Sequence, residues 1–195
     1  RCKQGEWHSW TWRHDSYELR GKTVGIVGGG AIGRMVMQRL QGWDCKLIYS
    51  DPYRMPEEME KKLNCEYVSL ETLLRESDVV SLHCPLTEQT RGMIGKEQLA
   101  MMKPNAIIVN EARGAVIDDK ALVEALQNGT IWGAAIDTWE KEPLDPNDPL
   151  VKMEKVITTS HLGAATRETV IRCFSIGYQN ILRQIHGEEL VNRRY

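Results

Sequence analysis

Residues 24–33 read V-G-I-V-G-G-G-A-I-G, a short apolar run that turns on glycines into a helical pattern. Three of these glycines, Gly28, Gly30 and Gly33, have the spacing G-x-G-x-x-G. We expect Gly28 to permit a tight turn, Gly30 to let a phosphate approach closely, and Gly33 to let the helix pack on the strand. The backbone N–H groups at the start of such a helix, together with the helix dipole, favour the binding of a pyrophosphate.

An acidic residue follows these glycines after about 20 residues, as it does in dinucleotide-binding folds. A second apolar run, residues 46–50, ends at Asp51, whose carboxylate can accept both hydroxyls of an adenosine ribose. This carboxylate would repel a 2′-phosphate, so we predict NAD(H) over NADP(H), although Arg54 could weaken the preference by pairing with the phosphate. A lone G-x-G-x-x-G can be an ordinary glycine turn, but strand, helix, second strand and acidic residue together favour dinucleotide binding.

The composition is that of an ordinary globular protein, with 195 residues, 42% hydrophobic and 27% charged, and a net charge of −2. This length suffices for one substantial core. The sequence has no basic run of the kind that binds nucleic acid or a membrane surface, and no apolar stretch of transmembrane length. Its five cysteines are scattered and form no C-x-x-C pair, so we predict neither a disulfide framework nor a metal site, and we expect a reducing cytoplasm.

Strand and helix patterns alternate along the rest of the chain. Apolar runs predict strands at residues 66–68, 78–82, 106–110, 131–136 and 156–158. Helical patterns follow Ser69 and Asp118, and one long amphipathic helix is predicted over residues 167–186. Continuous hydrophobic strands that alternate with helices are typical of a parallel sheet covered on both faces, so we predict an α/β, Rossmann-type doubly wound fold.

Polar residues that follow strands are the candidate site residues, because ligands bind outside the carboxyl ends of the strands in such sheets. Arg113 follows the strand at 106–110, where its planar guanidinium could bind a carboxylate or polarise a carbonyl. Its position is equally consistent with a surface arginine that caps a neighbouring helix. Asp137 ends the strand at 131–136 and could accept a hydrogen bond from a carboxamide or simply cap the following turn.

Glu142 and His161 are candidates for acid–base chemistry. Glu142 lies in the loop after Asp137, and His161 follows the last predicted strand, ahead of a loop of small residues. A lone histidine is usually structural, but a carboxylate in contact with the imidazole would favour its protonated form and raise its pKa. If the two side chains touch, they form a pair suited to proton exchange with an alcohol near neutral pH.

Several segments, taken together and in order, resemble one family. They are residues 19–28 (L-R-G-K-T-V-G-I-V-G), 81–91 (S-L-H-C-P-L-T-E-Q-T-R), 102–114, 135–143 and 159–163 (T-S-H-L-G). The chain resembles the cofactor-binding half of the D-isomer-specific 2-hydroxyacid dehydrogenases, and is similar to the D-3-phosphoglycerate dehydrogenases among them. Several linked motifs in one order are more specific than any single motif.

The resemblance implies an oxidoreductase that transfers hydride between NAD(H) and a D-2-hydroxyacid or 2-keto acid. Arg113 would hold the carboxylate and the carbonyl oxygen of the substrate. His161 would donate a proton as hydride reaches the keto carbon, and Glu142 would keep that imidazole protonated.

The same resemblance places a set of residues against the NAD cofactor. Asp51 would bind the adenine ribose, Ala31 and Ile32 would lie beneath the pyrophosphate, and Asp137 would face the nicotinamide carboxamide. The full set is Gly28, Gly30, Ala31, Ile32, Gly33, Asp51, Cys84, Pro85, Thr90, Glu111, Ala112, Arg113, Asp137, His161 and Gly163.

Three positions depart from the family pattern. Ala31 stands where arginine or histidine is common, so one phosphate contact would be missing. Glu111 stands where a small or uncharged residue is usual, and an acid there would lower the local positive potential and disfavour doubly anionic substrates. Ser160 replaces a common proline, with no chemical consequence expected.

The domain organisation departs as well, because family members begin with a second, flavodoxin-like domain of about a hundred residues. The resemblance implies that residues 1–20 are the end of a linking helix and a Trp-rich segment. Residues 21–187 would be the NAD-binding domain, and residues 188–195 a tail that leads to the missing domain. Since catalysis depends on positioning and water exclusion, this fragment alone is expected to be nearly inactive.

The expected partners are a small 2-hydroxy or 2-keto acid and a second copy of the chain, with neither nucleic acid nor membrane. Trp7, Trp10 and Trp12 crowd a short turn-rich segment and would form an apolar patch suited to a two-fold interface. Family members pair through their cofactor domains, so we expect a homodimer.

Two other functions are compatible with the same fold. A non-catalytic NAD sensor, like the corepressors that resemble this family, or a scaffold of the same fold, could keep the arginine, glutamate and histidine. A relative with other chemistry is disfavoured, because formate dehydrogenase carries glutamine where this chain has Glu142. The set Arg113, Glu142 and His161 likewise speaks against adenosylhomocysteine hydrolase.

Overall fold

A seven-stranded parallel sheet forms the centre of the protein, of which the computed structural model describes residue 5 and residues 16–192. The strands are β1 (Thr23–Val27), β2 (Lys46–Ser50), β3 (Cys65–Tyr67), β4 (Val79–Leu82), β5 (Ile107–Asn110), β6 (Gly133–Ile136) and β7 (Val156–Thr158). Their order across the sheet is β3-β2-β1-β4-β5-β6-β7, and all neighbours are parallel. This is the strand order of a doubly wound dinucleotide-binding fold, extended by one strand, so the predicted fold class is confirmed.

Six α-helices occur in the described residues. They are α1 (Ala31–Arg39), α2 (Glu57–Leu63), α3 (Leu70–Glu76), α4 (Lys96–Met101), α5 (Asp119–Gln127) and α6 (Arg167–His186). The helix starts predicted at Ser69 and Asp118 are confirmed, because each of these side chains accepts hydrogen bonds from backbone N–H groups of the first turn. The sequence patterns predicted α6 with its observed bounds, whereas α2 and α4 were not predicted.

The turn between β1 and α1 and the first turn of α1 each require a glycine. Gly28 has a φ of +103°, and a Cβ there would lie 2.8 Å from the backbone nitrogen of Cys84. A Cβ on Gly33 would lie 2.0 Å from the carbonyl oxygen of Gly28, so only glycine lets α1 pack this closely against the end of β1. These contacts bring the first turn of α1 to the carboxyl edge of the sheet.

The core consists of two hydrophobic clusters on opposite faces of the sheet. Along β2, Leu47 and Tyr49 belong to one cluster and Ile48 to the other. Because successive side chains of a strand point to opposite faces, this alternation places the two clusters on the two sides. The two clusters thus pack on opposite faces of the sheet, while Ile157 in the edge strand β7 is 70% exposed. Polar side chains gather at the carboxyl edge.

Helix α6 has none of its residues buried, although it is amphipathic. Phe174 is 77% exposed and Ile185 is 71% exposed, so no described residue covers this apolar face. Beyond the helix, Val191 donates its N–H to the Asn180 side chain at 3.1 Å, which turns the chain back along α6.

None of the described helices is long and apolar enough to cross a membrane. The predicted Trp-rich segment around Trp7, Trp10 and Trp12 lies outside the described residues.

Candidate active site and cofactor cleft

A cleft of about 460 Å³ opens at the carboxyl edge of the sheet, above β1, β4 and β5. The chain runs outward from β1 through β2 to β3 and then crosses over to β4, on the other side of β1. The strand order therefore reverses between β1 and β4, and such a switch point is the usual ligand site of open α/β sheets. The residues that line the cleft are Gly30, Ala31, Ile32, His83, Cys84, Pro85, Leu86, Glu111, Ala112 and Arg113. Eight of them belong to the set expected at the cofactor, and His83 and Leu86 do not.

The first turn of α1 is open toward this cleft. Its N-cap, Gly30, provides no side-chain hydrogen bond, and the first turn contains no acidic residue. A Cβ on Gly30 would meet no atom of the described residues within 4 Å. Free N–H groups at an accessible helix N-terminus fit a bound pyrophosphate, and the missing Cβ leaves room for it.

Asp51 is fixed at the end of β2 beside the glycine turn. Its carboxylate accepts hydrogen bonds from the backbone N–H of Gly29 at 2.7 Å and of Tyr53 at 2.8 Å. A carboxylate has about four acceptor positions, so capacity remains for the two hydroxyls of a ribose. The side chain is half-buried, and its geometry fits the ribose of a dinucleotide.

Arg54, which the sequence offered as a partner for a 2′-phosphate, is paired with Glu60 in the structure. Its Nε and Nη2 atoms donate to the two carboxylate oxygens of Glu60, each at 2.9 Å. Sequence reasoning did not single out Glu60, since one acidic residue among several in α2 gives no signal of its own.

The loop after β5 is held by Asn110, a buried side chain. Its Oδ1 atom accepts the N–H of Ala112 at 3.0 Å, and its Nδ2 atom donates to the carbonyl of Arg113 at 3.1 Å. A Cβ on Gly114 would lie 2.0 Å from the carbonyl carbon of Trp139, so this loop packs directly on the loop after β6. The Arg113 side chain is exposed at the cleft, and its Nη1 atom donates to the Ala112 carbonyl at 2.7 Å.

The side chains of Glu142 and His161 are in contact, as their predicted role as an acid–base pair requires. The Nδ1 atom of His161 lies 3.1 and 3.0 Å from the two carboxylate oxygens of Glu142. A hydrogen bond from the backbone N–H of Trp139, and then the imidazole, lower the pKa of Glu142, and the charge of Arg113 contributes in the same direction. Glu142 is therefore ionised near neutral pH, and Arg113 lies within electrostatic range of it.

Asp137 holds the loop that carries the histidine. Its buried carboxylate accepts hydrogen bonds from the Thr159 hydroxyl and from the N–H groups of Leu162 at 2.8 Å and Gly163 at 2.9 Å. Burial raises the pKa of Asp137, but these hydrogen bonds outweigh it and hold the pKa below its ordinary value. The His161 N–H donates to the Asp137 carbonyl at 2.8 Å, with His161 at a φ of +58°. These hydrogen bonds tie the Asp137 carboxylate to the loop after β7 and not to the turn that follows Asp137 in the sequence.

The Glu111 side chain points toward the histidine loop. A Cβ on Gly163 would lie 2.6 Å from Glu111 Oε2 and 3.2 Å from Asp137 Oδ2. Partial burial raises the pKa of Glu111, and the Asp137 charge raises it further, whereas His161 opposes the shift. An acidic side chain thus lies beside the histidine loop at Gly163, a placement that its position in the sequence did not predict.

The loop after β4 carries Thr90 and His83. The Thr90 hydroxyl donates to the Pro85 carbonyl at 2.6 Å, which closes this loop beside the cleft. His83 lines the cleft, and its Nε2 atom lies 2.9 Å from the Ser81 hydroxyl. Its shielded Nδ1 atom has no hydrogen-bond partner among the described residues, and burial lowers the pKa of His83.

Comparison with known proteins points to one family. The sequence model of the D-isomer-specific 2-hydroxyacid dehydrogenase NAD-binding domain matches residues 1–163. A glyoxylate reductase of Korarchaeum cryptofilum is 48% identical over 180 residues, which are 91% of this chain and 54% of that protein. The chain thus spans about half the length of this curated relative.

Solved structures agree with the sequence comparison. An apo D-mandelate dehydrogenase from Rhodotorula graminis matches with a TM-score of 0.89 and 34% identity. The match covers 97% of this chain and 57% of the chain of that enzyme. A D-lactate dehydrogenase with NAD⁺ from Lactobacillus jensenii has a TM-score of 0.85 and 32% identity, covering 97% of this chain and 60% of its own.

Proposed function

Because the chain belongs to the D-isomer-specific 2-hydroxyacid dehydrogenase family, whose NAD-binding domain it carries, we propose that the complete protein transfers hydride between NAD(H) and a D-2-hydroxyacid or its 2-keto acid. The observation that supports this most is the contact of His161 with Glu142 at the carboxyl edge of the sheet, within electrostatic range of Arg113. An acid–base group and an anion-binding group beside a dinucleotide cleft are what this reaction requires.

The cofactor cleft has a distinct role for each of its parts. The first turn of α1 and the glycines Gly28, Gly30 and Gly33 hold the pyrophosphate, and Asp51 binds the adenine ribose. The bound NAD(H) supplies or accepts the hydride. The other residues that we assign to the cofactor surface are Ala31, Ile32, Cys84, Pro85, Thr90, Glu111, Ala112, Arg113, Asp137, His161 and Gly163.

The substrate side depends on three residues. The Arg113 guanidinium binds the carboxylate and the carbonyl oxygen of a 2-keto acid with its planar set of donors. The Glu142 carboxylate accepts a hydrogen bond from the Nδ1–H group of His161, which orients the imidazole and leaves Nε2 for the substrate. His161 Nε2 donates its proton to the carbonyl oxygen during reduction and accepts the proton of the hydroxyl during oxidation.

The rest of the assignment concerns organisation. Residues 21–187 form the NAD-binding domain, residues 1–20 link it to a substrate-side domain, and residues 188–195 lead back to that domain. The complete protein acts in the cytoplasm as a homodimer that pairs through this domain. The NAD-binding domain by itself would bind cofactor with little turnover, because catalysis needs the positioning and water exclusion that a substrate-side domain supplies.

A panel of 2-keto acids, assayed with NADH on the full-length protein, tests this function. We expect NADH oxidation with at least one keto acid and formation of the D-isomer of the product, read by chiral chromatography. A protein that binds NADH tightly but turns over no member of the panel would favour a non-catalytic NAD sensor instead. Formation of the L-isomer would contradict the assignment to this reaction.

A further inference from the structure

Arg54 and Glu60 form a bidentate ion pair close to the ribose end of the cofactor cleft. The guanidinium donates through Nε and Nη2 to the two oxygens of one carboxylate, each at 2.9 Å. The Glu60 side chain is 8% exposed and the Arg54 side chain 61% exposed. The carboxylate therefore belongs to the packed interior, and the arginine bends from the surface to meet it.

The Glu60 carboxylate is fixed independently of the arginine. The buried Tyr49 hydroxyl donates to Glu60 Oε1 at 2.6 Å and accepts the backbone N–H of Met55 at 2.8 Å. Hydrogen bonds from Arg54, and then from Tyr49, lower the pKa of Glu60 to about 2. Glu60 is thus a permanent anion in a preset position, and a planar guanidinium that meets it in this bidentate way is strongly held.

The same cluster reaches Asp51. The guanidinium carbon of Arg54 lies 5.5 Å from the centre of the Tyr67 ring, over its face. The Tyr67 hydroxyl in turn donates to the backbone carbonyl of Asp51 at 3.2 Å. Arg54 thus lies three residues from Asp51 along the chain, and Tyr67 contacts both residues.

Charge decides what this cluster does to a phosphate on the ribose. While Glu60 neutralises Arg54, the Asp51 carboxylate is the uncompensated charge at this end of the cleft, and it repels a 2′-phosphate. Without Glu60, the guanidinium would balance Asp51 and would present a free fork of donors, the geometry that matches phosphate oxygens. The ion pair thus determines whether Arg54 can act on the cofactor.

We propose that Glu60 sets the preference of this domain for NAD(H) over NADP(H) by holding Arg54 away from the ribose. This inference rests on the proposed function only in that the domain binds a nicotinamide dinucleotide. Glu60 is a positioning residue that acts through Arg54 and does not touch the cofactor.

The test measures binding and needs no turnover. NADH and NADPH are titrated calorimetrically into the full-length protein and into Glu60→Gln, which keeps the shape of the side chain and an acceptor for the Tyr49 hydroxyl. We expect the ratio of NADH to NADPH affinity to fall by about fivefold or more, through tighter binding of NADPH. A smaller change in a folded variant contradicts the proposal, as does a preference of the unsubstituted protein for NADPH.

Glu57→Gln is the matched control. Glu57 lies in the same helix, α2, and its exposed carboxylate pairs with Lys61 at 2.7 Å. This substitution removes the same charge three residues away without releasing Arg54, so the affinity ratio is expected to stay within about twofold. An equal shift in this control would assign the effect to net charge and would overturn the proposal.

Two further variants complete the test. Glu60→Met removes every acceptor for Arg54 at similar volume, and it decides the question if Glu60→Gln does not fold. The double variant Glu60→Gln/Arg54→Gln must lose the gain in NADPH affinity, because the released arginine is its cause. A gain in NADPH affinity that persists in the double variant contradicts the proposal. If the unsubstituted protein does not bind NADH at all, both this proposal and the proposed function are contradicted.

Discussion

At the scale of single residues, the contact between Glu142 and His161 depends on the backbone that holds each side chain. The Trp139 N–H donates to Glu142 Oε1 at 3.0 Å. The Asp137 carboxylate accepts three hydrogen bonds from the segment around His161. Sequence reasoning named Glu142, His161 and Arg113 from their positions after strands. It did not predict the supporting bonds, because they join segments that only the folded sheet brings together.

Replacement of Glu142 by glutamine is expected to move the pH dependence of reduction to lower pH. The carboxylate is ionised near neutral pH because its pKa is lowered, so its negative charge favours the protonated imidazole. Glutamine keeps the shape and removes that charge, so the rate of reduction is expected to fall away at lower pH. A pH–rate series on the full-length protein measures this, with NADH affinity expected to stay the same. An unchanged profile would show that the contact has no role in proton transfer.

At the scale of elements, strands were predictable, as were helices with a capping residue or a long apolar pattern, whereas α2 and α4 were not. Strand β4 is strongly apolar, with Ser81 as its one polar residue, and α6 has a regular helical pattern over 20 residues. Helix α2 has seven residues, of which Glu60 and Leu63 are buried, and its apolar residues Met59 and Leu63 make a single i, i+4 step, which is too short to predict a helix. Because one of those two buried residues is an acid, the Arg54–Glu60 pair was also invisible in the sequence.

Asp137→Ala is expected to destabilise the loop between β7 and α6. The substitution leaves the N–H groups of Leu162 and Gly163 without their acceptor, and we expect the free energy of unfolding to fall by about 2–4 kcal/mol. Asp118→Ala is the control, since it removes an exposed helix cap worth about 1 kcal/mol. Urea unfolding of both variants measures the difference, and equal losses would contradict the special role of Asp137.

The same carboxylate predicts a direction for the acid dependence of stability. Its pKa lies below the ordinary value, so the native state binds the proton less readily than the unfolded state does. The contribution of Asp137 is therefore complete above about pH 4 and is lost as the pH falls through its lowered pKa. In Asp137→Ala, this part of the acid destabilisation should be absent.

At the scale of the whole molecule, the order of strands explains why a site assembled from distant segments is compact. Strand β1 lies between β2 and β4, and β5 and β6 follow on one side, so the loops with Asp51, Arg113 and Asp137 share one edge. The glycine fingerprint and the alternation of strands and helices predicted this arrangement. The inward turn of Glu111 and the unpaired nitrogen of His83 could not be predicted, because they depend on packing between loops.

The account depends most directly on His161 as the acid–base group, and one measurement tests it. NADH-dependent reduction of the best keto acid is compared between the full-length protein, His161→Ala and the control His186→Ala, whose imidazole lies at the end of α6. We predict that His161→Ala lowers kcat by about 10²–10⁴, with NADH affinity nearly unchanged and the control near normal. Near-normal turnover in His161→Ala would contradict the mechanism.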